Sequence, residues 1–431
     1  MTSAVPQKSP ADTALPPRQT TQLAASGLVL IAVAYGLARF AYGLFVPAFR
    51  AEFGLDPSTV GMIGSASYAA YCVAIYPAMM LTPRFGSRYL AVAAGVLAAL
   101  GTGLVGLAPN AAVLTAGVIL GGLSTGIVSP PLAHAAAVRV SRQRRDRVQA
   151  IINSGTGLGV AVSGPLALLT LSQWRAAWLA FAVVAVLATV WAARSVPWTV
   201  RTEHYTEAVR GMGGHRRRLR SLLPDPLLPA GALRLHATAL LMGGATAAIW
   251  VFGQDVLTDV GGLSGAAAIW SWAALGLCGL LGAAAGDLAH RIGLRAAWAL
   301  CALMIAGATA LLGLFPGELS VAVFGSAAFG AAYIAVTGLI LISAAATYHH
   351  HPAAGVGLAF LTLALGQSIG GSVLGSLMSL SGAGVTFAAA AAAAVLSATL
   401  PPSRLVSART EEMNALTQEQ IRAHAHRRPS S

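Results

Sequence analysis

Lysine is all but missing from this chain: Lys8 is the only one among 27 basic residues. A phosphate loop of the form Gly-x-x-x-x-Gly-Lys cannot be built without another lysine, which excludes ATP hydrolysis through such a site. Schiff-base chemistry is excluded on the same ground. Charge of either sign is scarce, at 10% of 431 residues, where soluble chains carry roughly 25%. Cysteine is rare too. Cys72, Cys278 and Cys301 all fall inside apolar blocks, so no disulfide framework is expected. The 14 acidic residues lie in tails, in loops or near the ends of apolar runs, and none sits in the middle of one.

What fills the space is apolar. Hydrophobic residues make up 56% and the mean hydropathy is +0.71. They come in unbroken blocks of about 20 or more, long enough to cross a bilayer as helices. A membrane barrel would alternate every second residue, and backbone polar groups in lipid must be satisfied within the segment. An all-α integral membrane protein follows. Twelve spans are predicted, at 23–47, 59–82, 89–108, 111–137, 149–171, 174–194, 235–254, 264–287, 296–314, 319–346, 354–379 and 383–400. The polar, proline-containing start, 1–22, has no cleavage site behind a short apolar core and is expected to be a retained, disordered tail.

With the N-terminus in the cytoplasm, 24 of the 27 basic residues fall in cytoplasmic segments. Only Arg50 and Arg175 lie on the opposite side, and Arg39 lies within the membrane. The bias predicts a multi-pass protein of the cell membrane with both termini cytoplasmic. It also accounts for the net charge of +13 without nucleic acid. The longest polar interruption, 195–234, separates two sets of six spans, 23–194 and 235–400, and a tail, 401–431, follows. Its GGHRRRLRSLL piece reads as a basic loop against anionic lipid headgroups.

The two sets repeat each other. MMLTPRFGSR (79–88) follows the second span and GDLAHRIGLR (286–295) follows the eighth, so Leu81, Arg84, Gly86 and Arg88 recur as Leu288, Arg291, Gly293 and Arg295, each 207 residues on. At the same offset Leu158, Gly159 and Gly164 match Leu365, Gly366 and Gly371. A duplicated six-helix unit explains both matches.

On these residues the chain resembles a major facilitator superfamily (MFS) transporter over essentially its whole length. The family's loop signature, Gly-x-Leu-Ala-Asp-Arg-x-Gly-Arg-Arg, is met in the second half by Gly286, Leu288, Ala289, Arg291, Gly293 and Arg295, with His290 at the Asp position. In the first half Met79 and Pro83 replace the Gly and Asp, while Arg84, Gly86 and Arg88 remain. The resemblance implies a cytoplasmic latch between bundles at this loop; both halves lack its Asp, and Asp287 is the available substitute in the second. RFAYG in the first span resembles a bacterial subgroup of the family. The fifth-span pattern of proton-coupled drug exporters is half present: Gly155, Gly159, Gly164 and Pro165 remain, Leu168 and Leu169 replace the following Gly-Gly, and Gly117 stands where the fourth span usually has Arg. What the resemblance implies is two pseudo-symmetric six-helix bundles, a central site and alternating access. A membrane enzyme would need a nucleophile–base or metal cluster at one membrane face, and the sequence offers none, so neither catalysis nor a cofactor is expected.

Arg39 is the sharpest single residue. A charge near the bilayer centre costs at least ~2.5–3.5 kcal/mol by insertion scales, so it should face protein or water. Tyr35, Gly36, Tyr42 and Gly43 stand three or four positions away, which on an α-helix predicts one face of Tyr, Gly, Arg, Tyr and Gly. No carboxylate is placed to neutralise the charge. Either an anionic small-molecule substrate supplies the counter-charge, or carbonyls, tyrosines and water hold the arginine structurally, or it acts in gating. Further polar candidates on cavity-facing spans are Tyr68, Asn153, Trp250, Gln254, Tyr333 and Gln367, with Ser65, Ser124, Thr125 and His134 beside them. His134 is a candidate for proton coupling. The YHHHP run (348–352) reads as a solvated turn, not a metal site. The expected function is secondary transport by a monomer, coupled to a proton or another ion or to exchange, with a lean to an anionic substrate. Alternatives are efflux of lipophilic compounds and a non-transporting sensor on the same fold.

Overall fold

The computed structural model describes residues 15–169, 173–198, 226–349 and 351–402, and among these it is helical, with no strand. The helices are α1 (Pro17–Phe53), α2 (Pro57–Phe85), α3 (Ser87–Gly106), α4 (Ala111–Arg139), α5 (Arg142–Leu168), α6 (Trp174–Ser195), α7 (Ala232–Val260), α8 (Gly265–Ile292), α9 (Leu294–Leu314) and α10 (Leu319–Thr347). The last helix, Pro352–Thr399, breaks at Gly382, whose φ of 77° and ψ of 179° no helix accommodates. It therefore counts as two, α11 (352–381) and α12 (383–399), which makes twelve helices among the described residues, as expected.

Several ends differ from the apolar-run reading. Helix α1 starts at Pro17, six residues inside the tail expected to be disordered, because a proline at the first position has its φ preset and lacks only an N–H that would be unpaired anyway. Helix α5 starts at Arg142 instead of residue 149, and α7 takes in Ala232–Arg234 from the expected linker. Hydropathy marks the bilayer, whereas a helix continues wherever its backbone bonds remain satisfied. The GGHRRRLRSLL piece and the stretch after residue 402 lie outside the described residues.

Each half repeats the other in detail. Gly86, between α2 and α3, has φ 88° and ψ 154°; Gly293, between α8 and α9, has φ 85° and ψ 149°. The left-handed backbone explains why the loop keeps glycine at both places. The two halves meet along three seams: α2 with α11, α5 with α8, and α1 with α7. Under the 207-residue offset the first two seams exchange and the third maps on itself. Small residues line all three, with Gly61 against Gly371, Gly276 against Ala161 and Gly43 against the Trp250 carbonyl. Such residues let helices approach closely where lipid provides no hydrophobic drive.

Within the first half, α1 lies on α5 so closely that a Cβ on Gly159 would overlap the Ala32 carbonyl, and one on Gly155 the Leu28 carbonyl. Gly159→Leu is expected to destabilise the protein by about 1–3 kcal/mol or more through overpacking. A lower unfolding temperature in detergent would register it; an unchanged one would refute the contact.

Candidate functional site

The centre of α1 is not an α-helix. Residues Ala32–Phe40 form a π-helical stretch, and the Ala41 amide donates to the Gly36 carbonyl five residues back. Such turns are rare and concentrate at functional sites. The widened turn separates the two glycines of the face expected from α spacing, while Tyr35, 5.9 Å from the guanidinium carbon, and Tyr42, in the wall of a cavity it shares with Arg39, stay near the arginine. Gly36 packs on Gly159 of α5, whereas Gly43 packs on Trp250 of α7. Tyr42 turns toward α2, donates to the Val60 carbonyl at 2.9 Å and stacks on Phe49.

Arg39 lies in the last turn of the π stretch, 5% exposed. Its guanidinium carbon lies 4.4 Å from the Tyr68 ring centroid and 4.8 Å from Tyr71, with Phe40 and Tyr35 at 5.4 and 5.9 Å. A desolvated cation–π contact contributes about 0.5–2 kcal/mol, so the two nearer rings offset much of the ~2.5–3.5 kcal/mol insertion cost. One hydrogen bond is made: Nη2 donates to Gln367 Oε1 at 3.5 Å. The Gln367 amide in turn donates to Tyr333 Oη at 3.2 Å. A polar chain thus runs from α1 in the first half to α11 and α10 in the second.

Around it the halves are closed by rings. Phe40 stacks on Trp250 at 4.0 Å and 23°, and Trp250 meets Tyr333, Trp272 and Phe329 edge-on at 5.1–5.7 Å. Beside this stack is a cavity of about 10 Å³ whose walls include Arg39, Tyr42, Ser67, Tyr68 and Trp250. Three buried polar atoms of those walls have no hydrogen-bond partner among the described residues: Arg39 Nε, Ser67 Oγ and Trp250 Nε1. Leaving such a group unpaired costs about 1–3 kcal/mol.

The remaining expected site residues do not line this cavity. Tyr35 is half-buried and its hydroxyl meets Ser129 Oγ at 3.1 Å. Asn153 is exposed and accepts from Gln149. Gln254 lines a separate cavity of about 440 Å³ between α1, α5, α6, α7 and α8. Ser65 donates to the Ser368 carbonyl and receives the reciprocal bond, pinning α2 to α11. Ser124 bonds α3 through the Ala94 carbonyl, Thr125 bonds its own helix, and His134 holds Ser87. Gly164 packs on Ala273 of α8, and Pro165 follows it within α5.

Two site residues escaped the sequence reading, Ser67 and Tyr71. With Gly64 and Tyr68 they form a small-and-polar stripe at spacings of three and four along α2, which is the signal that was there to find.

The arginine-poor face is locked. Arg50 at the end of α1 donates to both carboxylate oxygens of Asp255 at 2.7 Å and to Asp259 at 2.9 Å, joining the first half to α7. The third ion pair among the described residues, Arg175 with Glu52 at 2.6 Å, stays within the first half. The arginine-rich face has none among those residues. Arg84, Asp287, Arg291 and Arg295 are exposed there, Gly286 is half-buried, and Arg88 donates to the Val196 carbonyl at 2.7 Å.

The sequence profile of the Major Facilitator Superfamily matches residues 28–371. The chain belongs to that superfamily. No curated relative matches it. Among solved structures, a bacterial homologue of the human lysosomal transporter Spinster, inward-facing and unoccupied, superposes with a TM-score of 0.70 at 15% identity, over 90% of this chain and 95% of the other. A POT family transporter in complex with 5-aminolevulinic acid gives 0.69 at 15% identity, over 89% and 95%. The human organic anion transporter MFSD10 gives 0.65 at 19% identity, over 90% and 100%. The MFS fold, a membrane-embedded transporter architecture, is thereby established.

Arg50→Ala removes the cross-bundle clamp. In a background lacking Cys72, Cys278 and Cys301, it is expected to speed impermeant-maleimide labelling of a cysteine at Val251, now 1% exposed, about tenfold, the equivalent of 1.4 kcal/mol. An unchanged rate would mean that the clamp does not hold this face shut.

Proposed function

We propose that this MFS protein is a secondary transporter that moves a small organic anion across the cytoplasmic membrane. The observation that carries the reading is the donor set around the central cavity. Arg39 Nε and Trp250 Nε1 can only donate, the Ser67 hydroxyl can turn to donate, and no carboxylate lines the cavity among the described residues. A lipophilic cation would meet an unneutralised guanidinium there; a carboxylate would supply the missing charge and the missing acceptors, in the geometry guanidinium favours.

Substrate and conformation are linked through Gln367. Its Oε1 takes the place of an anion oxygen on Arg39, and an arriving carboxylate displaces it, cutting a bond between the halves. With both termini cytoplasmic, the arginine-poor face is the outer one. The Arg50 clamp closes that side, while the expected latch on the other side lacks an ion pair at Asp287 among the described residues. The state described therefore favours opening to the cytoplasm. A proton gradient or solute exchange would drive the cycle, and a single chain is the working unit in the lipid bilayer.

Thermal unfolding of the detergent-purified chain against organic anions and lipophilic cations tests this. An anion at 100 times its Kd should add ~2.7 kcal/mol to the folded state, and Arg39→Gln should abolish the gain while still folding. Stabilisation by lipophilic compounds alone, undiminished in Arg39→Gln, would move the assignment to efflux and make the arginine structural.

A further inference from the structure

We infer that the ligand taken at Arg39 is an aromatic monocarboxylate. The inference rests on the organic-anion reading above and narrows it by charge, size and ring chemistry.

Charge comes first. Arg39 is the one guanidinium placed in the middle of a described helix; the other described arginines lie at or near helix ends. Of the three histidines within described helices, His290 is exposed near the end of α8, and His134 and His236 are engaged near the arginine-rich face, His134 with Ser87 and His236 with Thr362 and Tyr348. A second negative group on the ligand would have to be desolvated with no cation to meet it, which is prohibitive in a low-dielectric interior. Dicarboxylates and phosphate dianions are disfavoured on this ground.

Size and donor geometry come next. The cavity of about 10 Å³ has room for one water-sized group. A single carboxylate oxygen fits it, and the unpaired Arg39 Nε, Trp250 Nε1 and Ser67 Oγ are wall residues' polar atoms still lacking an acceptor. The second carboxylate oxygen then takes the place of Gln367 Oε1 on Arg39 Nη2.

The body of the ligand is read from the rings. Phe40 and Trp250 come from opposite halves and stack at 4.0 Å. When the halves part, the Trp250 face loses its partner, although Tyr333 and Phe329 still hold its edges from the same half. A flat ring attached to the carboxylate replaces Phe40 on that face, with Tyr68 beside it against Arg39. A saturated ring of equal size has no π-system to offer in exchange.

The test measures binding to the full chain in detergent by thermal unfolding, with benzoate, cyclohexanecarboxylate, succinate and inorganic phosphate as probes. Benzoate is expected to stabilise the wild type, and cyclohexanecarboxylate to bind about tenfold more weakly. Trp250→Phe keeps a stacking ring but removes the indole N–H, and should weaken benzoate about tenfold, the order of a hydrogen bond to a charged group. Ser67→Ala, which leaves every ring and charge in place, should weaken it several-fold and serves if Trp250→Phe does not fold. Succinate or phosphate binding as tightly as benzoate, and lost in Arg39→Gln, would refute this inference and leave the anion reading standing. Equal binding of the saturated and aromatic acids, or benzoate binding indifferent to the folded donor variants, would refute it too. No stabilisation by any anion would refute both readings.

Discussion

One uncompensated charge organises the centre of this protein. Arg39 is permanently cationic and buried among apolar helices, and no carboxylate of the described residues approaches it. The fold meets the cost with π-faces, one amide oxygen and a deformed helix, none of which neutralises the charge. Rings can be moved aside and an amide can be displaced, whereas a buried carboxylate would hold the guanidinium for good. Weak partners keep the charge available.

The same logic explains where strong partners are used. The two-aspartate clamp on Arg50 sits near helix ends, where Asp255 is buried but Arg50 and Asp259 reach solvent, which lowers the cost of separating the ions. Deep in the protein, the halves are joined by stacked rings, reciprocal serine bonds and close backbone contacts through glycine. Contacts of that kind are individually modest, and they are made and unmade by small displacements of rigid helices.

Much of this was legible in the chain. Unbroken apolar runs give the helices, the arginine bias separates the faces, and Arg39 stands out because nothing nearby in sequence can neutralise it. The repeated glycine at Gly86 and Gly293 announced the duplication, and its left-handed backbone is the reason it persisted. The π stretch was not legible, because nothing in the spacing of Ala32–Phe40 departs from an ordinary apolar helix, and the close packing of α5 on its start runs through Gly155 and Gly159, more than a hundred residues away. Nor was the Arg50 clamp, whose partners are 205 and 209 residues distant and meet only once α1 and α7 are set side by side. Ser67 was hidden for a simpler reason: serine in an apolar helix usually bonds its own backbone, and only the cavity shows that this one does not.

The duplication that built the scaffold did not duplicate the charge. At the 207-residue offset Gly36 corresponds to Gly243, and both are packed without room for a side chain, yet Arg39 corresponds to Thr246 and Trp250 to Gly43. A symmetric frame thus carries a lopsided centre, with the electrostatic grip on one bundle and the flat wall on the other. Under the proposed reading, the anchored end of a ligand keeps its address while its surroundings slide past, so orientation would be conserved from one side of the membrane to the other.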